Sequence, residues 1–235
     1  MRNLFIGKYL VIALCLLSVQ SLIAKDIYLS VNGVDTNNGL SESGAVATLT
    51  KALSLIEDGD NIRVSGIIDV SKEVSGIEGV AIPQMAFSII GDSPSTSGFT
   101  GNGVTRIFNI DSNDKETQYK NLSFINGAQN QTKGSAVFIQ NSRSVFTNCI
   151  FKNNIAVSCK GTVYLYTPNQ VEFYDCIFTD NQVQQGGAVF SEMRGKLVMD
   201  RCMITNCNLQ SVANSNGGGL QILGIESFVL KKSTV

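Results

Sequence analysis

The amino-acid sequence predicts an all-β fold: a single-stranded parallel β-helix, or solenoid, closed at its N-terminal end by a capping helix. Three observations predict it. First, four stretches in the second half of the 235-residue chain carry the same mark, an apolar residue followed two positions later by Asn or Asp: Phe124/Asn126, Phe151/Asn153, Phe178/Asp180 and Ile204/Asn206. Second, each mark is followed by a glycine and then small and apolar residues, at Gly134, Gly161, Gly186 and Gly218. Third, the units align column by column. Leu122, Cys149, Cys176, Cys202 and Ser233 follow one another at steps of 27, 27, 26 and 31 residues, with Phe124, Phe151, Phe178, Ile204 and Val235 two positions on. Phe146, Phe173, Met199 and Leu230 form a further column three positions before the cysteines. A recurring period of this size marks a stack of like units, each burying its apolar face against its neighbours.

The elements follow in order. Arg2 and Lys8 precede an apolar run from Tyr9 to Val19, and small residues at Ser21 and Ala24 offer a cleavage site, so residues 1–24 read as a secretory signal peptide. The run is shorter than the ~20 residues a spanning helix needs. Cys15 raises a lipoprotein signal, but Leu14 stands where a small residue is wanted. Residues 25–61 read as an N-terminal cap. Asp26 to Val31 is a strand, Asn32 to Gly39 a dense turn, and Ala47 to Glu57 an amphipathic helix through Leu49, Ala52, Leu53 and Ile56, stopped at Asp58-Gly59. A solenoid needs such a cover over its first coil, because an open strand edge invites aggregation. Residues 62–235 read as the β-helix, beginning with degenerate coils in the apolar runs between Ile62 and Ile110.

Within each repeat, residues two apart in an extended chain share a face, so the cysteine and phenylalanine columns point to one side. The column Asn126, Asn153, Asp180 and Asn206 belongs at a bend, where Asx side chains tolerate a left-handed backbone. The glycine before the next strand turns the chain without a Cβ clash.

Composition narrows the function classes. A formal net charge of −1 and 16% charged residues give no basic field for nucleic acid and no polybasic membrane patch. The chain has no histidine and six cysteines. After removal of the signal, Cys149, Cys159, Cys176, Cys202 and Cys207 remain, an odd set with three members in one apolar column. They read as small core residues, neither a disulfide framework nor a zinc site.

The pairing of Phe-x-x-Asn (Phe151 to Asn154, Phe178 to Asn181) with Gly-Gly-Ala-Val (Gly186 to Val189) resembles the repeat of the chlamydial polymorphic outer membrane proteins. The opening strand, the Asn-Gly-rich loop, the helix and the step Gly59 to Val64 resemble the start of secreted right-handed parallel β-helix proteins, including bacterial surface proteins and polysaccharide lyases. Gly134-Ser and Gly161-Thr depart from the repeat, as does Ile204 to Cys207. The resemblance implies an exported, surface-exposed protein, secreted or on the cell surface or outer membrane. Its implied role is adhesive or structural, with a host-cell, matrix or glycan surface as partner.

The alternative is a fragment of a secreted polysaccharide lyase or glycoside hydrolase acting on acidic polysaccharide. Its candidates are Asp175, Asp200, Arg201, Lys231 and Lys232, which the repeat brings together on adjacent coils; an ordinary surface charge ladder accounts for the same residues. Asp35, Asn37 and Asn38 alternate oxygen ligands as a calcium loop does, without a downstream bidentate Glu, and fit an Asx-rich turn. Asn121 and Asn130 head glycosylation sequons. No catalytic, cofactor-binding or metal-ligating residue is assigned. Ser227 to Val235 begins a further copy and stops before its turn, from which the sequence leads one to expect an incomplete C-terminus or an edge covered by a partner or by self-association.

Overall fold

The computed structural model describes residues 24–111, 114–128, 133–155, 160–192, 194–209 and 217–235. The signal-peptide reading, Cys15, Cys159 and the sequon at Asn130 lie outside them. The cap comprises β1 (Asp26–Ser30) and α1 (Leu49–Leu53), and the first coil is β2 (Asn61–Asp69) with β3 (Val80–Ile82). Each later coil passes through three faces. The second coil is β4 (Phe87–Gly91), β5 (Ser97–Thr100) and β6 (Phe108–Asp111); the third is β7 (Glu116–Lys120), β8 (Ser123–Ile125) and β9 (Val137–Gln140). The fourth is β10 (Arg143–Thr147), β11 (Ile150–Lys152) and β12 (Val163–Tyr166). The fifth is β13 (Gln170–Tyr174), β14 (Ile177–Thr179), β15 (Gln182–Val183) and β16 (Val189–Glu192). The sixth is β17 (Lys196–Asp200), β18 (Met203–Thr205), β19 (Asn208–Leu209) and β20 (Leu220–Leu223), and β21 (Ser227–Lys231) opens the next. The chain is an all-β parallel solenoid of about six turns.

Strand pairing is parallel, and like residues stand over like. On the first face Tyr119, Phe146, Phe173 and Met199 are partners in succession; on the second, Phe124, Phe151, Phe178 and Ile204. The rings of Phe124, Phe151 and Phe178 stack at 4.8 and 4.6 Å between centroids, nearly parallel at 9° and 5°. The first-face column meets them edge-on, Phe146 against Phe151 at 5.7 Å. Cys149, Cys176 and Cys202 fill the angle between the two faces as buried free thiols. Burial pushes the Cys176 thiol well up, as expected of an inert core cysteine.

From the third coil to the sixth, three left-handed corners per coil let a chain of short strands close on itself. The bend identified in the sequence is the second of them, with φ of 52°, 55°, 55° and 50° at Asn126, Asn153, Asp180 and Asn206. The first runs through Asn121, Asn148, Asp175, Arg201 and Lys232 (φ 56°, 50°, 56°, 54°, 48°), and the third through Asn141, Thr167 and Arg194 (φ 47°, 47°, 57°). Asn and Asp hold this conformation at low cost, whereas a β-branched residue does not. Thr167→Asn should therefore raise stability by up to about 1 kcal/mol, read as a higher midpoint of urea unfolding; an unchanged or lower midpoint would contradict it.

Inside the second corner runs a buried amide ladder. Asn181 Oδ1 accepts the Asn154 backbone N–H and the Asn154 side-chain amide, each at 3.0 Å, while Asn154 and Asn181 donate to the Phe124 and Phe151 carbonyls. This gives the Phe-x-x-Asn spacing a physical basis: the ring fills the core, and the amide three residues on satisfies backbone that the corner leaves unpaired.

Two details differ from the sequence expectation. The capping helix is confined to Leu49–Leu53, because beyond it the hydrogen bonds tighten to three-residue spacing, Leu55 N–H to the Ala52 carbonyl at 3.0 Å. Thr48 caps it, and Glu73 of the first coil accepts the N–H groups of Leu49 and Thr50 at 3.0 and 2.7 Å, fastening the cap to the stack. The glycine column ends at Gly217 and not at Gly218, since Val189 stands opposite Leu220. Gly161, Gly186 and Gly217 share positive φ of 68°, 57° and 69°.

Candidate functional site

The charged residues singled out in the sequence do come together, at the first corner. Asp175 and Arg201 lie 26 residues apart, one coil, and the left-handed backbone turns both outward on one line. Arg201 grips Asp175 through two parallel bonds, Nε to Oδ1 at 2.6 Å and Nη2 to Oδ2 at 2.9 Å, and donates Nη1 to Asp200 at 2.9 Å. Bidentate pairing of this kind uses the planar guanidinium fork fully. The Arg201 hydrogen bonds hold the Asp175 carboxyl below its usual range, and Asp175 in turn drives the guanidinium further from deprotonation. Lys231 stands opposite Asp200 in register and Lys232 one rung above the Arg201 corner, but neither makes an ion pair with a described residue. The cluster holds the Arg201 guanidinium on both Asp175 oxygens and on Asp200 Oδ2, while the buried Asp200 Oδ1 has no partner among the described residues.

The pH consequence follows. A carboxyl whose folded pKa is depressed contributes stability above its unfolded value, near 3.9, and loses it as pH falls through the folded value. Asp175→Asn should lower the melting temperature modestly at pH 7, the effect being limited because the pair is exposed. The difference from wild type should hold above the unfolded value and shrink only as pH falls below it, while the wild-type carboxyl becomes protonated. A difference that persists undiminished at low pH would assign it to something other than the ion pair.

Other rungs are bridged by amides: in the same corner the Asn148 amide donates to Asn121 Oδ1 at 2.9 Å, and in the second corner the Asn206 amide donates to the Asp180 carboxylate at 3.2 Å. Asn121, the head of the described sequon, is thus a rung of a corner ladder. The Asp35 loop resolves as a turn and helix anchor. Asp35 accepts the N–H groups of Ala47 and Thr48 at 2.8 and 3.0 Å and the Thr48 hydroxyl at 2.7 Å. Partial burial opposes its ionisation, but these bonds outweigh burial and leave its carboxyl below the usual range. Asn37 turns its amide nitrogen to the Ala45 carbonyl, and Asn38 accepts the Leu40 N–H, so the three side chains do not converge on a common point.

Two features escaped sequence reasoning. Outside the barrel, on the third face, Phe138, Tyr164 and Phe190 form a second aromatic column at 5.5 and 5.4 Å. Lys133 and Lys160 lie over its rings at 4.8 and 4.9 Å, and Glu192 takes both Lys160 and the Tyr164 hydroxyl. Its signal was the aromatic after each buried valine: Val137-Phe138, Val163-Tyr164, Val189-Phe190. These rings are covered and present no stacking platform. The second feature is Arg106, wholly buried, which donates to the Gly134, Glu78 and Lys133 carbonyls and to the Glu78 carboxylate.

Among the described residues no group of three or more His, Cys, Asp or Glu side chains is placed to hold a metal ion. No described helix is long and apolar enough to cross a membrane. Comparison of the chain with protein-family models, with curated proteins and with solved structures finds no match in any of the three.

Proposed function

We propose that this is an exported, non-catalytic surface β-helix protein with an adhesive or structural role. The one observation that carries the reading is the state of Arg201, the arginine of the candidate cluster, which is held by two carboxylates in the manner of a structural charge ladder. The stacked corner columns around it favour the same reading, because they make a stiff rod with long polar faces. Its Phe-x-x-Asn and Gly-Gly-Ala-Val elements resemble those of the polymorphic outer membrane protein repeat, which belongs to surface proteins. Incubation with cells, extracellular matrix and acidic polysaccharides tests it. Binding without release of ultraviolet-absorbing unsaturated sugars is expected; release of such products would favour the lyase reading instead.

A further inference from the structure

Of the five arginines among the described residues, three are committed to carboxylates: Arg63 to Asp26, Arg106 to Glu78, and Arg201 to Asp175 and Asp200. The other two, Arg143 and Arg194, make no side-chain hydrogen bond or ion pair with a described residue. Both are exposed, and both line the same groove, about 890 Å³ in volume, at the third corner. Asn141, Thr167, Asn169 and Glu226 line it with them. The carboxylates on the adjoining strands are bonded elsewhere. Glu116 stands opposite Arg143 in register yet takes the Gln118 amide of its own strand at 2.8 Å, and Glu172 accepts from Gln170 and Tyr174. Glu226 shares the groove without pairing to either arginine.

The placement has a definite geometry. Arg143 opens the fourth coil and Arg194 leads into the sixth, so they sit two rungs apart along the rod, roughly 10 Å by strand spacing. The rim between them is held by the Thr167 hydroxyl on Asn141 Oδ1 at 2.6 Å and by the Asn169 amide, which donates to the Asp114 carboxylate at 3.3 Å and to the Asn141 carbonyl at 3.4 Å. Guanidinium groups are the preferred bidentate receptors for planar or tetrahedral anions. Two of them along an extended groove, with an amide and hydroxyl rim, suit a polymer carrying acid groups on alternate residues and hydroxyls between.

We propose that this groove binds an acidic glycan, whose carboxylate or sulfate groups meet Arg143 and Arg194 while Asn141, Thr167 and Asn169 contact its hydroxyls. The proposal rests on the binding role above and names its ligand class. Nucleic acid is disfavoured by the acidic net charge of −1, by Glu226 in the groove, and by a lining without aromatic residues for base stacking.

The test compares wild type, the double variant Arg143→Gln/Arg194→Asn, and a charge-matched control, Arg63→Gln/Arg201→Asn. Binding is measured to polygalacturonate, heparin, dextran and single-stranded DNA, with circular dichroism verifying the fold. Asn is chosen at 194 because it keeps the left-handed backbone there. The expected result is binding of wild type and control to polygalacturonate, to heparin or to both, and at least a tenfold loss in the groove variant. Which of the two binds decides between carboxylate and sulfate. Equal loss in the control, unchanged binding by the groove variant, tighter binding to dextran or DNA, or no glycan binding by wild type would each overturn the proposal. Adhesion of wild type to cells or matrix in the absence of glycan binding would overturn the groove assignment while leaving the adhesive role standing.

Discussion

Replacing Phe151 by alanine should cost about 3–5 kcal/mol of folding stability, the range for truncating a fully buried aromatic residue. Phe151 lies flat between Phe124 and Phe178 and edge-on to Phe146 and Phe173, with no exposed surface. The neighbouring rings cannot close the cavity, because each is fixed by strand register to its own rung. In a stack where each coil touches only the next, the loss also weakens coupling between the third and fifth coils. Amide hydrogen exchange should show faster opening on both sides of the substitution, alongside a lower urea midpoint. The exposed Val104→Ala serves as control, with an expected change within about 0.5 kcal/mol. A loss below about 1 kcal/mol for Phe151→Ala would mean that the aromatic column does not hold the coils together.

Arg106→Leu should be comparably damaging, at about 3 kcal/mol or more, through unsatisfied polar groups and not through a cavity. Arg106 is a staple across three coils. From the second it reaches Glu78 in the first at 2.9 and 3.1 Å, and Gly134 and Lys133 in the third at 2.9 and 3.0 Å. Leucine fills the space but strands three backbone carbonyls. Glu78 is half-exposed and can return to water, so most of the cost falls on those carbonyls. Arg106→Lys should recover less than half of the loss, since one ammonium cannot reproduce the planar fork that meets carbonyls on both sides. Urea unfolding of the two variants distinguishes the cases. Full rescue by lysine would show that charge alone is what matters at this position.

Much of this architecture was legible because an extended chain points alternate residues the same way, and a stack repeats that pattern at nearly constant steps. The cysteine and phenylalanine columns aligned by counting alone, as did the Asp175 and Arg201 pair, one coil apart. Asn126, Asn153, Asp180 and Asn206 were recognisable as a bend because few residue types accept a left-handed backbone. The first and third corners were less visible, since Arg201, Lys232, Thr167 and Arg194 adopt the same conformation without the residue types that announce it. Gly217 was passed over for Gly218 because the spacer preceding it is longer, and only the pairing of β16 with β20 settles which glycine stands in line.

The sequence by itself determined the cysteine and phenylalanine columns of the core and how far apart the coils begin, because both follow from periodicity along one strand direction; the continuation of those columns at Leu230 and Val235 is exposed. Tertiary structure alone decided the fate of other charges: Arg106 buried across three coils, Arg143 and Arg194 left open on one groove. The physical reason is that a side chain's partner is chosen by what the corners place within hydrogen-bond reach, and the lengths of the loops between strands set that across coils.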